Sequence, residues 1–159
     1  MAYFEQSPAC AGREKKGSER SEGSYSFKIL PHPADVKLQI TASTKEELFQ
    51  GALAGMASII QPQMLQKAPI VKENIEIHSL DFDMLLVDFL SEVLAKTDIF
   101  HAVFNKLKIE KLCVNFLQAK IQGQKIDYFG QEIKAATHHG LEIKQDKSGN
   151  YEVTILFDI

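Results

Sequence analysis

Apolar and polar residues alternate along this chain with two different periods, and the period predicts the type of each element. In VKLQITA, which begins directly after Asp35, every second residue is apolar, so we predict a strand with one buried face. Other segments with β-type character are YSFKIL, VKENIEIHSL, AVFNKLKIE, KLCVNFLQAKIQG, KAATHHGLEIK and YEVTILFDI. In the last segment, the alternation puts Asp158 on the face opposite Phe157.

Two other segments repeat apolar residues at helical intervals. STKEELFQGALAGMASII begins with Ser and Thr at capping-box spacing from Glu46 and Glu47. Asp81 should cap a second, very apolar helix through MLLVDFLSEVLAK, with Asp83 and Asp88 at its exposed positions. Strand runs separated by helices predict an α+β fold, with antiparallel β-sheet covered by two α-helices in a single compact domain.

The first 24 residues show no such period. They are rich in Ser, Gly, Glu, Lys and Arg, and they cannot bury enough apolar surface to offset the entropy lost on ordering. We therefore predict a flexible N-terminal extension or a vector-derived leader over residues 1–24 and a folded domain over residues 25–159.

Charge and composition exclude several classes of protein. The net charge of −3 gives no general attraction for nucleic acid or an anionic membrane, so we expect any RNA contact to be transient or made through a partner. No apolar run suits a membrane span or a secretory signal, which predicts a cytoplasmic protein without membrane contact. Glycine-rich phosphate loops, nucleophile elbows and the histidine spacing of metalloproteases are absent from the sequence.

Three short polar motifs lie at the ends of apolar strands: HPAD, KAATHH and the final FDI. Asp35, Asp158 and the terminal carboxylate of Ile159 would be ionised at neutral pH and would repel one another if they met. A hard divalent cation would reverse that repulsion, and Lys134 could hold a phosphate or a partner's carboxylate nearby. Each residue also has an ordinary structural interpretation, as a turn aspartate, a strand end or a solvated lysine.

The order and spacing of these motifs resemble the archease family, small proteins that activate the RtcB-type RNA-splicing ligase. HPADV matches the family's His-Thr-Ala-Asp-Val with Pro33 in place of threonine, and DFDMLLVDFLSEVL matches its acidic, apolar helix. KAATHH matches Lys-Ala-x-Thr-Tyr-His with His138 in place of tyrosine, and FDI matches the terminal Asp-Ile. The resemblance covers the chain from about residue 25 to residue 159.

This resemblance implies a metal site formed by Asp35, Asp158 and Ile159, with Ca²⁺ as the expected ion and Mg²⁺ or Mn²⁺ as alternatives. It implies that Lys134 is functional, and we expect His32 and His139 beside it on the side that faces the partner. The implied activity is not catalytic. Similar proteins promote transfer of GMP to the active-site histidine of the RtcB-type ligase and support its multiple turnover in tRNA splicing and RNA repair.

Two other functions stay open at this point. A stand-alone metal-dependent phosphoester hydrolase would use Asp35, Asp158 and either His32 or His139 around a metal-bound water. A structural chaperone would use the terminal aspartate only to bind a stabilising ion.

Overall fold

The computed structural model describes residues 24–31, 33–60, 62–64 and 67–159. Its elements, in chain order, are β1 (Tyr25–Pro31), β2 (Asp35–Ala42), α1 (Lys45–Ile60), β3 (Gln63–Met64), β4 (Ile70–His78), α2 (Phe82–Phe100), β5 (Ala102–Leu112), β6 (Phe116–Tyr128), β7 (Ala135–Thr137), β8 (Lys144–Gln145) and β9 (Tyr151–Asp158). Apart from Ser24, the predicted N-terminal extension lies outside the described residues, and so does His32.

The strands form two antiparallel sheets. The first has the order β1-β2-β9-β7, and β8 also pairs with β9; in the second, β6 pairs with β3, β4 and β5. Helix α1 contacts β1, β2 and β9 of the first sheet and β5 of the second, while α2 contacts β7 of the first and β4, β5 and β6 of the second. The predicted α+β architecture is therefore confirmed, with both helices joining the two sheets into one core.

That core explains why both helices are so apolar. A helix that contacts two sheets has little surface left for solvent, and α2 accordingly buries most of its aliphatic side chains. The strands bury alternate residues instead, as predicted for β2 and β9. The buried residues of these three elements are Leu85, Leu86, Val87, Phe89, Leu90, Val93, Leu94, Thr97, Val36, Leu38, Ile40, Ala42, Val153, Ile155 and Phe157. No helix in the described part of the chain is both long and apolar enough to cross a membrane.

Side-chain caps start both helices, as the sequence predicts. The N–H of Glu47 donates to Thr44 Oγ1 over 3.1 Å, and the N–H of Met84 donates to Asp81 Oδ1 over 2.8 Å. The Glu47 carboxylate also accepts hydrogen bonds from the hydroxyls of Ser24 and Ser43. Burial alone would raise the pKa of Glu47, but these two hydrogen bonds lower it overall.

The prediction of one continuous strand over KLCVNFLQAKIQG is wrong. Strand β5 continues to Leu112, a turn covers residues 113–115, and β6 then runs on to Tyr128. The turn is closed by the N–H of Cys113, which donates to the carbonyl of Phe116 over 2.8 Å. Apolar residues continue through this turn, where Val114 is 46% exposed, so the hydrophobic pattern did not reveal it.

The strand predicted over KAATHHGLEIK is also wrong in extent. Only the three residues of β7 and the first residue of β8 are strand, and a turn at His139 and Gly140 separates them. Gly140 has a φ of 65°, a backbone conformation that favours glycine and ends the ladder. His138 and His139 therefore lie beyond the end of β7 rather than on opposite faces of a strand.

We predict that Gly123→Ala destabilises the fold. A Cβ at Gly123 would lie 2.0 Å from the main-chain oxygen of Val103, which cannot move without disturbing the pairing of β5 and β6. The expected loss in free energy of unfolding is about 2 kcal/mol, measured by urea denaturation. Gly55→Ala is the matched control, because the three atoms nearest its Cβ belong to the side chain of Leu38, which can shift where main chain cannot, and alanine favours the helix. Equal losses in the two variants would contradict this account.

Candidate metal site

Asp35 and Asp158 lie directly opposite each other at one end of the β2–β9 pair. Asp35 is the first residue of β2 and Asp158 is the last residue of β9. Directly opposed residues of an antiparallel pair project from the same face of the sheet, with Cβ atoms about 4.5–5.5 Å apart. The fold thus brings together two acids that are 123 positions apart in the sequence.

The two acids lie on the outer face of the first sheet. Their neighbours in the strands, Val36 and Phe157, point to the opposite face and are buried in the core. Asp158 is exposed, whereas Asp35 is half-buried and its Oδ1 atom is shielded from solvent. Like charges directly opposite each other destabilise a sheet, and a cation between two such carboxylates would offset that repulsion.

Strand β7 places the KAATHH motif beside the same acids. The main-chain N–H of Lys134 donates to the main-chain oxygen of Asp158 over 2.7 Å, and Ala135 pairs directly with Asp158. The side chain of Lys134 is exposed. Two pairs further along, Thr137 lies opposite Leu156, and its buried Oγ1 has no hydrogen-bond partner in the described part of the chain.

Ile159 follows Asp158 directly, and its side chain packs against the core, which holds the end of β9 in place. His139 lies in the exposed turn after β7. The described residues contain no group of three or more His, Cys, Asp or Glu side chains that could hold a metal ion. The structure therefore brings Asp35, Asp158, Lys134 and Ile159 together but does not add His139 to the pair of acids.

The oxygen donors at this position are of the type that binds a hard cation, but they are too few to complete its coordination. Carboxylate and main-chain oxygens are the ligands of Ca²⁺ and Mg²⁺, and Mn²⁺ accepts the same ligands. Ca²⁺ takes about six to eight oxygens, of which two bidentate carboxylates supply at most about four. A cation held by Asp35 and Asp158 would thus also need an oxygen of Ile159, water or a group from another molecule.

A second set of polar contacts, between α2 and the loop after β7, is not visible in the sequence pattern. Asp88 accepts a hydrogen bond from the hydroxyl of Ser79 over 2.6 Å, and its other oxygen lies 3.7 Å from Nε2 of His138. Asp83 accepts from the N–H of Ile143 over 3.3 Å, and burial raises its pKa. The helical pattern predicted that Asp83 and Asp88 are exposed. Both are half-buried instead. No local signal could pair residues that lie 50 and 60 positions apart.

Comparison with known proteins identifies the family. Residues 27–159 match the sequence model of the Archease protein family, and the chain belongs to this family. Protein archease of Methanosarcina barkeri is 30% identical over 141 residues, covering 84% of this chain and 95% of the relative. Protein archease of Pyrococcus furiosus is 32% identical over 136 residues, covering 80% of this chain and 94% of the relative.

The fold has a solved counterpart as well. The crystal structure of an archease from Thermotoga maritima, described as a possible chaperone, superposes with a TM-score of 0.61. It covers 83% of this chain and 96% of its own, at 20% sequence identity, and so supports the fold.

Without a cation, we expect Asp158→Asn to stabilise the protein. In buffer with EDTA, removing one of two opposed charges should raise the free energy of unfolding by about 0.2–1 kcal/mol. Glu152→Gln is the matched control on the same face of β9, because Glu152 lies opposite Lys144 and its neutralisation removes an attraction. Urea denaturation of the two variants should therefore give changes of opposite sign. A loss of stability in Asp158→Asn would show that the acids do not repel.

Proposed function

We propose that this chain is a non-catalytic activator that binds a divalent cation and promotes guanylylation and multiple turnover of an RtcB-type RNA ligase. The proposed ligands are Asp35, Asp158 and a main-chain oxygen of Ile159, with Ca²⁺ as the first choice and Mg²⁺ or Mn²⁺ as alternatives. The observation that carries the proposal is the direct cross-strand pairing of Asp35 with Asp158 in a member of the archease family. A cytoplasmic location in tRNA splicing or RNA repair is part of the same proposal.

An incomplete set of ligands supports docking rather than independent chemistry. Two carboxylates at an exposed strand end leave coordination positions that phosphate oxygens or acidic groups of a ligase could fill. A bound cation there would supply positive charge to phosphate oxygens. The residues of this chain would hold that charge at a fixed place, since β2 and β9 are paired along their whole length.

Lys134 extends the same surface with a basic side chain. Its main chain is tied to Asp158, while its side chain is exposed and free to reach a phosphate or a carboxylate of the partner. Lys134 therefore has the position expected of a residue that faces a partner. His139 lies in the exposed turn of the same motif, four residues after Ala135.

A stand-alone phosphoester hydrolase is less well supported by this geometry. Such an enzyme needs a metal-bound water and a base to activate it. The two acids are both assigned to the cation, and no histidine in the described ranges joins them in a group of three ligands. In the chaperone alternative, the same acids bind a cation that only stabilises the fold. It predicts that substitutions at Asp35 lower the melting temperature without a specific effect on the ligase.

The central prediction concerns RNA joining at substoichiometric ligase. We expect Asp35→Asn and Asp158→Asn to reduce the number of ligase turnovers to the level of ligase alone, because the cation is lost. Lys134→Ala should reduce turnover at least several-fold, since removing one partner of a charge-assisted contact costs about 1.5–3 kcal/mol. Glu152→Gln, on the same face of β9, should retain full activation.

Two further measurements separate the alternatives. Circular dichroism and thermal melting of each variant establish that lost activation does not come from lost folding. Incubation of the chain alone with phosphodiester substrates and Ca²⁺, Mg²⁺ or Mn²⁺ tests for hydrolysis. Full activation by a folded Asp158→Asn variant would refute the proposal, and turnover without ligase would favour the hydrolase.

A further inference from the structure

The second sheet has one face on the helices, and along β4 and β6 up to Gln122 its outer face consists mostly of exposed side chains. Strands β4 and β6 turn Ile75, Leu117 and Ile121 inward, so the residues between them point outward. We call the outer side chains of β4, β5 and β6 the lysine face. Its members are Ile70, Lys72, Asn74, Glu76, His78, Lys106, Lys108, Glu110, Lys111, Phe116, Gln118, Lys120 and Gln122.

Positive charge is concentrated on this face. It carries five lysines and two glutamates, whereas the rest of residues 24–159 carries nine lysines and fifteen acids. The net charge of the chain therefore conceals a local basic surface on one sheet. Such a surface attracts a polyanion at short range even though the whole molecule is acidic.

The strand register places these lysines next to one another. Lys108 lies directly opposite Lys120, and Gln122 lies between Lys106 on one neighbouring strand and Lys72 on the other. Like charges at directly opposed positions destabilise a sheet. The carboxylate of Glu110 lies 3.4 Å from Nζ of Lys120 and offsets part of this repulsion. Most of the positive charge of the lysine face is left for a ligand to neutralise.

One end of the face carries an aromatic group. Phe116 is half-buried, its ring centroid lies 4.6 Å from that of His78, and the Nζ of Lys111 lies 5.8 Å from its centroid. The amides of Gln118 and Gln122 follow Phe116 along β6 on the same face. Binding of an acidic polypeptide would require only the lysines of this face. Aromatic rings that stack on bases and amides that bond to base edges favour a nucleic-acid strand.

We propose that the lysine face binds single-stranded RNA, with phosphates on Lys106, Lys108 and Lys120 and a base against Phe116. The choice of RNA over DNA rests on the proposed function, in which the partner joins RNA. Because the acids of the candidate metal site lie on the other sheet, RNA on the lysine face would leave them accessible to the ligase. The RNA contact is then local and direct, rather than made only through a partner.

The test is fluorescence polarisation of a labelled single-stranded RNA of twelve uridylates with the full chain in low salt and without ligase. We expect the triple variant Lys106→Gln, Lys108→Gln, Lys120→Gln to weaken binding roughly tenfold or more and to lower the salt slope by about 2. The control variant Lys28→Gln, Lys144→Gln, Lys147→Gln removes the same charge from exposed positions elsewhere. It should change affinity by less than threefold, and equal losses in both triples would overturn the proposal.

A further variant and two competing ligands test which kind of molecule binds. Phe116→Leu should weaken binding roughly fivefold or more through lost stacking, with an unchanged salt slope. Polyglutamate that competes as well as RNA would overturn the proposal in favour of an acidic protein partner, and equal affinity for the matching DNA would overturn the choice of RNA. Undetectable binding would also overturn it. Since no ligase is present, a failed activator proposal and a failed RNA proposal give different results.

Discussion

Strands β2 and β9 pair over eight residues, and the register of that pair determines both the core and the candidate site. It sets Val36 against Phe157 and Leu38 against Ile155 on the buried face, and therefore Asp35 against Asp158 on the outer face. Each fully buried side chain of this kind contributes about 1.5–3 kcal/mol, whereas the repulsion of two opposed charges is about 1 kcal/mol or less. Since a one-residue slip would expose the whole apolar set, the core holds the two acids together in spite of their charge.

Local patterns were sufficient for the parts of the fold that depend on local interactions. The caps at Thr44 and Asp81 and the alternation of β2 and β9 follow from spacing alone. The turn around Val114 was not predicted because apolar residues continue through it. The short extent of β7 was missed although Gly140 lies in the turn that follows it. Each motif of the site was visible in the sequence, but the contact between Asp35 and Asp158 depends on the sheet topology, as does the contact between Asp88 and His138.

The two sheets present surfaces of opposite character to solvent. The first ends in paired carboxylates beside Lys134, and the second carries the lysine face. Both helices contact both sheets, so the two surfaces belong to one rigid core. His138 lies 3.7 Å from Asp88 and so links the loop after β7 to α2.

The central question is whether Asp35 and Asp158 share a cation. An anomalous difference map from crystals grown with Mn²⁺, which accepts the same oxygen ligands as Ca²⁺ and Mg²⁺, would answer this. The account predicts a peak between the two side chains, with carboxylate oxygens of both within about 2.0–2.6 Å of the ion. Crystals saturated with Mn²⁺ that show no peak there, or a peak only at other acids, would contradict it.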